Sequence, residues 1–166
     1  MSRLTTIEIA KQYLHFSAAH FTIFNATERE RLHGHNFRIA VAITGEVDNN
    51  GLCFDYAIYK KILEELCLRF DEYTLIAENS PHLQITSDET LYYVEHNQIV
   101  TPLLKTDTIL LPVKNVTIEE LSHYFLGQLL EDRKTLDELK IHALEMRVSS
   151  GPDQWAKHSW QRQDDK

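Results

Sequence analysis

Cysteine is nearly absent from this chain, with two in 166 residues, Cys53 and Cys67. Two thiols cannot build a disulfide framework, and in a reducing compartment they stay free. Cys53 lies in the apolar run Gly51-Leu52-Cys53-Phe54 and Cys67 beside Leu66 and Leu68, so buried packing is expected of both rather than nucleophilic chemistry. Positive charge is also scarce. Lys and Arg number 17 against 25 Asp and Glu, for a formal net charge of -8, which argues against a nucleic-acid partner because phosphate binding depends on clustered cations. Long hydrophobic runs are missing too: no stretch approaches the ~20 apolar residues that span a bilayer, and the basic start and apolar run of a signal peptide are not found. The expectation is a soluble, cytoplasmic protein with no membrane partner, folded as a single domain over 1–166.

Histidine is plentiful, at nine residues, and its placement is informative. In an extended strand residues two apart point the same way, so His33 and His35 share a face across the small Gly34. The segment His15-Phe16-Ser17-Ala18-Ala19-His20 ends a run whose apolar positions Ile7, Ile9, Leu14 and Phe16 suggest a strand. A turn-rich stretch then returns the chain to a second strand at 35–47. A long hairpin of this kind gathers His20, His33 and His35 at one end. Three neutral imidazoles with one open position are the usual ligand set of a catalytic zinc ion.

Further elements follow from periodicity. Phe37, Ile39, Val41 and Ile43 alternate onto one face, and Asp48-Asn49-Asn50-Gly51 makes a turn. A helix capped by Asp55 carries Ile58, Ile62, Leu63, Leu66 and Phe70 as its apolar stripe. A second opens at the capping box Thr117-Ile118-Glu119-Glu120, with Leu121, Phe125, Leu129 and Leu130 facing inward. Closing strands are read at 141–148 and 155–160. The predicted architecture is α+β: a four-stranded antiparallel sheet with two helices on one face and an irregular insertion at about 82–114. Within the insertion, Leu91-Tyr92-Tyr93-Val94 and Ile99-Val100 suggest a hairpin and 108–112 a short strand. Four strands leave two open edges, which a homo-oligomer would cover by joining sheets between subunits.

These residues carry a resemblance. Phe16-Ser17-Ala18-Ala19-His20, Leu32-His33-Gly34-His35-Asn36-Phe37, Thr44-Gly45-Glu46-Val47-Asp48, Gly51-Leu52-Cys53-Phe54-Asp55-Tyr56 and Asn115-Val116-Thr117-Ile118-Glu119-Glu120-Leu121 resemble, in order, the landmarks of the 6-pyruvoyltetrahydropterin and 6-carboxytetrahydropterin synthase family. The resemblance implies a tunnelling fold, in which antiparallel sheets join into a barrel in a trimer and trimers stack into hexamers, with pterin sites at subunit interfaces. It also implies zinc on His20, His33 and His35, and lyase chemistry on 7,8-dihydroneopterin triphosphate.

The other family groups are replaced. Where the family has a cysteine base four residues before the His-Gly-His pair, this chain has Arg29, whose guanidinium stays protonated and cannot accept a proton. A related subgroup that cleaves the side chain to a hydroxymethylpterin has glutamate there. Here the glutamates, Glu28 and Glu30, fall one residue to either side, as part of what reads first as a solvated charge run. The family's Asp-His relay appears as Asp71-Glu72, and its pterin-gripping glutamate as Ser150, which offers no bidentate charged acceptor; Glu145 is a conceivable substitute, five residues away on the strand. Asp71, Glu72, Glu28 and Glu30 are therefore the candidate catalytic residues, and Ser150 and Arg29 the candidate substrate contacts. The primary expectation is a zinc-dependent pterin lyase. The alternative is a zinc-binding paralogue that has lost the family activity and binds or converts a different small molecule.

Overall fold

The computed structural model describes residues 3–163. Its strands are β1 (Arg3–Ile9), β2 (His15–His20), β3 (His33–Val47), β4 (Tyr73–Ala77), β5 (Gln84–Ser87), β6 (Leu91–His96), β7 (Ile99–Leu104), β8 (Thr108–Leu111), β9 (Ile141–Ser149) and β10 (Ala156–Gln161). The helices are α1 (Ala57–Leu68), α2 (Ile118–Glu131) and the short α3 (Arg133–Glu138).

The long strand β3 is the spine. Its alternation is as strict as the sequence suggests: Phe37, Ile39, Val41 and Ile43 are all buried. One edge of β3 pairs antiparallel with β2 over its first half and with β1 over its second; the other pairs with β9, which pairs in turn with β10. The buried face shares one apolar core with Tyr59, Leu63, Leu66 and Cys67 of α1 and with Leu121, Phe125 and Leu129 of α2, so the helices cover a single face.

The α+β class is as expected, but the four-stranded antiparallel description is wrong. The main sheet has seven strands and is mixed, because β4 joins β2 in parallel and β8 joins β4 in parallel. β4 escapes a reading based on alternation because both its faces are buried. Leu75 packs into the main core, while Ile76 packs on the other side with Phe21, Ile23 and Val94, and a strand buried on both faces shows a continuous apolar run. The N-terminal run is two strands rather than one, broken by a turn in which the Leu14 amide donates to the Lys11 carbonyl. The short strand expected at 108–112 is β8, a member of the main sheet. The insertion proper is a second sheet, β5-β6-β7, seated on the Phe21, Ile23, Ile76 and Val94 cluster.

The helix starts also differ in detail. Asp55 accepts a hydrogen bond from the Ala57 amide at 2.9 Å but lies one residue outside the capping position, which Tyr56 occupies. The apolar stripe also differs at its start: Tyr59 is buried and Ile58 exposed. At α2, Thr117 Oγ1 accepts from the Glu120 amide at 3.4 Å, whereas the Glu120 carboxylate accepts from Lys114 N rather than from Thr117 N, so only one arm of the capping box forms. Neither thiol is poised for chemistry. Burial pushes Cys67 up to about 12, and Cys53 packs so closely on Gly45 that a β-carbon there would sit 2.7 Å from its sulfur.

Candidate metal centre

The pairing of β2 with β3 sets His20 directly opposite His33, with His35 two residues along the same face. Beneath them runs an aromatic column. Phe16 stacks on Phe37 at 5.2 Å, and the Phe37 ring meets those of His20 at 5.3 Å and His35 at 5.6 Å. Three imidazoles are thereby held against a rigid apolar floor at the end of the core.

Their hydrogen bonds fix the tautomers of two of them. His20 Nδ1 lies 2.8 Å from the Val116 carbonyl and His33 Nδ1 lies 2.7 Å from the Arg31 carbonyl. A carbonyl only accepts, so both Nδ1 atoms carry the proton and both Nε2 atoms present lone pairs. His20 Nε2 is buried with no hydrogen-bond partner among the described residues, while His33 Nε2 and His35 Nε2 lie 3.0 Å apart. One ligand atom from each of the three residues falls within 4.8 Å of the other two. Nitrogens bound at about 2.0–2.1 Å to a tetrahedral ion stand about 3.3 Å apart, so the set fits a metal ion. Without an ion His35 Nε2 can donate to His33 Nε2, which leaves the buried His20 Nε2 as the unsatisfied member; backbone carbonyls behind metal-binding histidines are their usual supports.

The electrostatics agree. Burial first, then the neighbouring imidazoles, lowers His20, with the Val116 hydrogen bond opposing; burial and His33 likewise lower His35. Both favour the neutral form that a metal requires.

The remaining candidates divide. Glu30 turns inward: its Oε2 accepts from the Thr22 amide at 2.9 Å and lies 3.9 Å from His33 Nε2. Burial alone would raise this carboxyl, but hydrogen bonds from Thr22 and the nearby His33 and His20 bring it below its ordinary value. Glu28 turns outward, accepting from Asn25 Nδ2 at 2.9 Å. Arg29 lies over the Phe21 ring at 4.4 Å and donates to the Glu30 carbonyl at 2.8 Å. The charge run thus does not behave as one solvated face.

Asp71 and Glu72 lie by β2, where Asp71 Oδ1 accepts from the Ser17 amide at 2.7 Å and the Glu72 amide donates to the Ser17 carbonyl at 2.7 Å. Glu72 adopts φ +66, a conformation that costs energy for a side-chain-bearing residue and often accompanies a functional constraint. It lines an open cleft of about 390 Å³ with Ser17, Asn36, Tyr73 and Thr74, reaching His35 at the rim. Alternation puts Ser17 and Asn36 on the sheet face opposite the histidines, so within one chain this cleft and the triad share only that rim. Ser150 lies beyond β9, its hydroxyl accepting from Gln154 at 3.3 Å. Glu145 is engaged by Lys157 at 3.0 Å on β10.

The sequence marks Asn115 and Val116 within a family landmark but does not mark them, or Arg31, as supports of the triad. Val116 and Arg31 act through backbone carbonyls, which leave no side-chain signature. Asn115 brackets Ile23, accepting from its amide at 3.0 Å and donating to its carbonyl at 2.8 Å, and also accepts from the Val116 amide at 3.1 Å.

Comparison with known proteins places this geometry. The family model described as 6-pyruvoyl tetrahydropterin synthase matches residues 8–160. The chain belongs to the 6-pyruvoyl tetrahydropterin synthase family. It is 32% identical over 147 residues to a Methanocaldococcus jannaschii protein that carries the provisional name 6-carboxy-5,6,7,8-tetrahydropterin synthase, covering 86% of this chain and 88% of that one. Among solved structures, the 6-pyruvoyl tetrahydropterin synthase of Plasmodium falciparum superimposes with a TM-score of 0.91 at 27% identity, covering 98% of this chain and 100% of the other. That of Plasmodium vivax gives 0.91 at 25% identity, covering 96% and 99%. Two further structures of the Plasmodium vivax enzyme have a glutamate replaced by Ala or Cys and are described as catalytic residue mutants. The synthase family is of the lyase type, and this member brings to it a three-histidine group able to hold a metal. No helix among its described residues is long and apolar enough to cross a membrane.

Proposed function

We propose that this protein is a zinc-dependent lyase acting on the side chain of a dihydroneopterin-type substrate, with His20, His33 and His35 as metal ligands and Glu30 as the proton-moving group. The observation that carries the reading is the convergence of one ligand nitrogen from each of three histidines, within 4.8 Å of one another, beside a carboxylate 3.9 Å from His33 Nε2. The glutamate replaced in the Plasmodium vivax catalytic mutants supports a carboxylate in this role. Bound zinc supplies Lewis acidity, which eases removal of protons from the substrate's side-chain hydroxyls and the adjacent carbons.

The chain's own groups do the rest. Glu30, held below its ordinary value chiefly by its hydrogen bonds from Thr22, accepts the proton at the carboxylate that faces His33. Arg29 cannot be a base; lying over Phe21 and bonded to the Glu30 carbonyl, it fixes the backbone behind Glu30. Glu28 closes the turn through Asn25 and is a structural group. Asp71 pins the strained Glu72, whose carboxylate serves as a second proton relay in the cleft beside His35. Ser150 offers the pterin ring a single hydroxyl in place of a carboxylate, so ring affinity is modest. The same reading makes residues 1–166 one domain of a cytoplasmic homo-oligomer, trimer or hexamer, in which a neighbouring copy brings the cleft and the triad together.

The test is incubation of zinc-loaded protein with 7,8-dihydroneopterin triphosphate, with products identified by mass spectrometry. Turnover to a 6-pyruvoyl, 6-carboxy or 6-hydroxymethyl pterin is expected. Absence of turnover, together with no shift in melting temperature by any pterin, would contradict the reading. That outcome would favour the zinc-binding paralogue to which Arg29 and Ser150 already point.

A further inference from the structure

We propose that the inserted hairpin β6–β7 is a clamp that holds Glu30 in its working position, with His96 as the positioning residue. The inference rests on the reading of Glu30 as the proton-moving group.

Glu30 is carried by a segment, residues 21–32, that forms no regular strand. The segment is well closed on itself: the Glu30 amide donates to the Thr22 carbonyl at 2.8 Å, the Phe24 and Asn25 amides donate to the Glu28 carbonyl, the Asn25 side chain accepts from the Thr27 and Glu28 amides, and Arg29 donates to the Glu30 carbonyl. These bonds shape the turn but do not hold it against the sheet, so its position beside the histidines depends on contacts from outside it. One support is Asn115 on Ile23. The other is the insertion.

The hairpin meets this segment at two levels. Below, Val94 of β6 packs with Phe21, Ile23 and Ile76. At the tip, His96 is 5% exposed and its Nε2 donates to the Asn25 carbonyl at 2.9 Å, while Asn97 Nδ2 reaches the Thr27 carbonyl at 3.5 Å. Asn97 and Gln98 have φ of 50° and 62°, the pair of left-handed residues that closes a tight two-residue hairpin turn. The tip is thus a rigid presenter of two side chains, and both are spent on carbonyls of the Glu30 segment. Between them lies a cleft of about 380 Å³ lined by Glu28, Arg29, Glu30, Arg31, His96 and Ile99. Contact at the tip therefore depends on named bonds rather than on broad packing. His96 takes no part in the metal centre, so burial of its imidazole is accounted for by this one bond.

Misplacement of a catalytic group by about 1 Å can cost on the order of 100-fold in rate. Removing His96 leaves the Asn25 carbonyl unpaired and frees the turn that aims Glu30. The experiment is a double-mutant cycle on the zinc-loaded protein with 7,8-dihydroneopterin triphosphate, combining His96→Ala with Glu30→Gln. Zinc content and hydrogen–deuterium exchange of residues 21–32 are read alongside. For His96→Ala, kcat should fall by about 10-fold or more, as a smaller displacement than 1 Å would give. KM and zinc content should stay unchanged and exchange in 21–32 should rise. His96→Gln, which keeps a donor of similar reach, should recover most of both. In the Glu30→Gln background, His96→Ala should cost nothing further. If His96→Ala does not fold, His96→Asn, polar but too short to reach Asn25, takes its place in the cycle. Independent, multiplying losses, or an unchanged kcat and exchange in His96→Ala while Glu30→Gln is inactive, would overturn the clamp and leave Glu30 in place. Full activity in Glu30→Gln would instead remove Glu30 from the chemistry, and the clamp's purpose with it.

Discussion

Asn115→Ala should weaken both the fold and the metal centre, because one side chain ties the two together. Its amide makes three hydrogen bonds: from the Ile23 amide, to the Ile23 carbonyl and from the Val116 amide. The Val116 carbonyl on the same peptide segment is the partner of His20 Nδ1. Each such bond contributes about 1 kcal/mol net, and truncating one partner adds the cost of unpaired groups. Asn115 is only partly buried, so water can replace some of what is lost. The expected destabilisation is about 2–3 kcal/mol, which for a domain of this size lowers Tm by roughly 5–10 °C. Loosening of the His20 support should lower zinc affinity by about 10-fold, the small end of the range for groups behind metal ligands. Asn115→Asp keeps the acceptor for both amides but sets a second carboxylate oxygen against the Ile23 carbonyl, so it too should melt below wild type. Thermal melts of the metal-free proteins and zinc titration against a competing chelator measure the two effects. A metal-free Asn115→Ala that melts within about 1 °C of wild type with unchanged zinc affinity would refute the reasoning.

Three further outcomes follow. Gly45→Ala should destabilise by about 1–3 kcal/mol, as overpacking does, because the new methyl would meet Cys53 Sγ at 2.7 Å; Gly45→Ala combined with Cys53→Ala should recover part of that in a denaturant titration. Chelation of zinc should lower Tm, since an ion at about 100 times its dissociation constant adds about 2.7 kcal/mol to the folded state; a chelator-insensitive melt in the zinc-loaded protein contradicts the site. The Tyr93 hydroxyl, followed by the Leu91 and Thr90 amides, holds the Asp88 carboxyl down at about 2 against an ordinary 3.8. A depressed folded-state value stabilises the turn above the ordinary value and is lost as pH falls toward about 2, so an NMR titration of the Asp88 carboxyl carbon should show its midpoint there rather than near 3.8.

The parts of the fold that were legible are those with a single buried face. β3, β9 and the stripe of α2 show their period in sequence because one side meets the core and the other meets water. β4 does not. Leu75 and Ile76 are buried on opposite sides of β4, which erases alternation, and a strand of five residues leaves little pattern to detect. β8 was legible as a short strand, but its parallel place beside β4 was not, because β4 itself was missed. The histidines were legible because strand geometry alone brings His33 and His35 to one face. The choice between Glu28 and Glu30 was not. It is made by Asn25, whose side chain accepts from the Thr27 and Glu28 amides and closes a turn that aims Glu28 outward and Glu30 inward. The Val116 and Arg31 carbonyls were invisible for a different reason, since any residue can supply them.

The most direct measurement is zinc content with zinc K-edge absorption on the purified wild-type protein and on His33→Ala. The account predicts one zinc per chain, coordinated by three imidazole nitrogens and an exchangeable oxygen at about 2.0–2.1 Å, and its loss in His33→Ala. Equal zinc in both proteins, or sulfur at about 2.3 Å in the first shell, would contradict it.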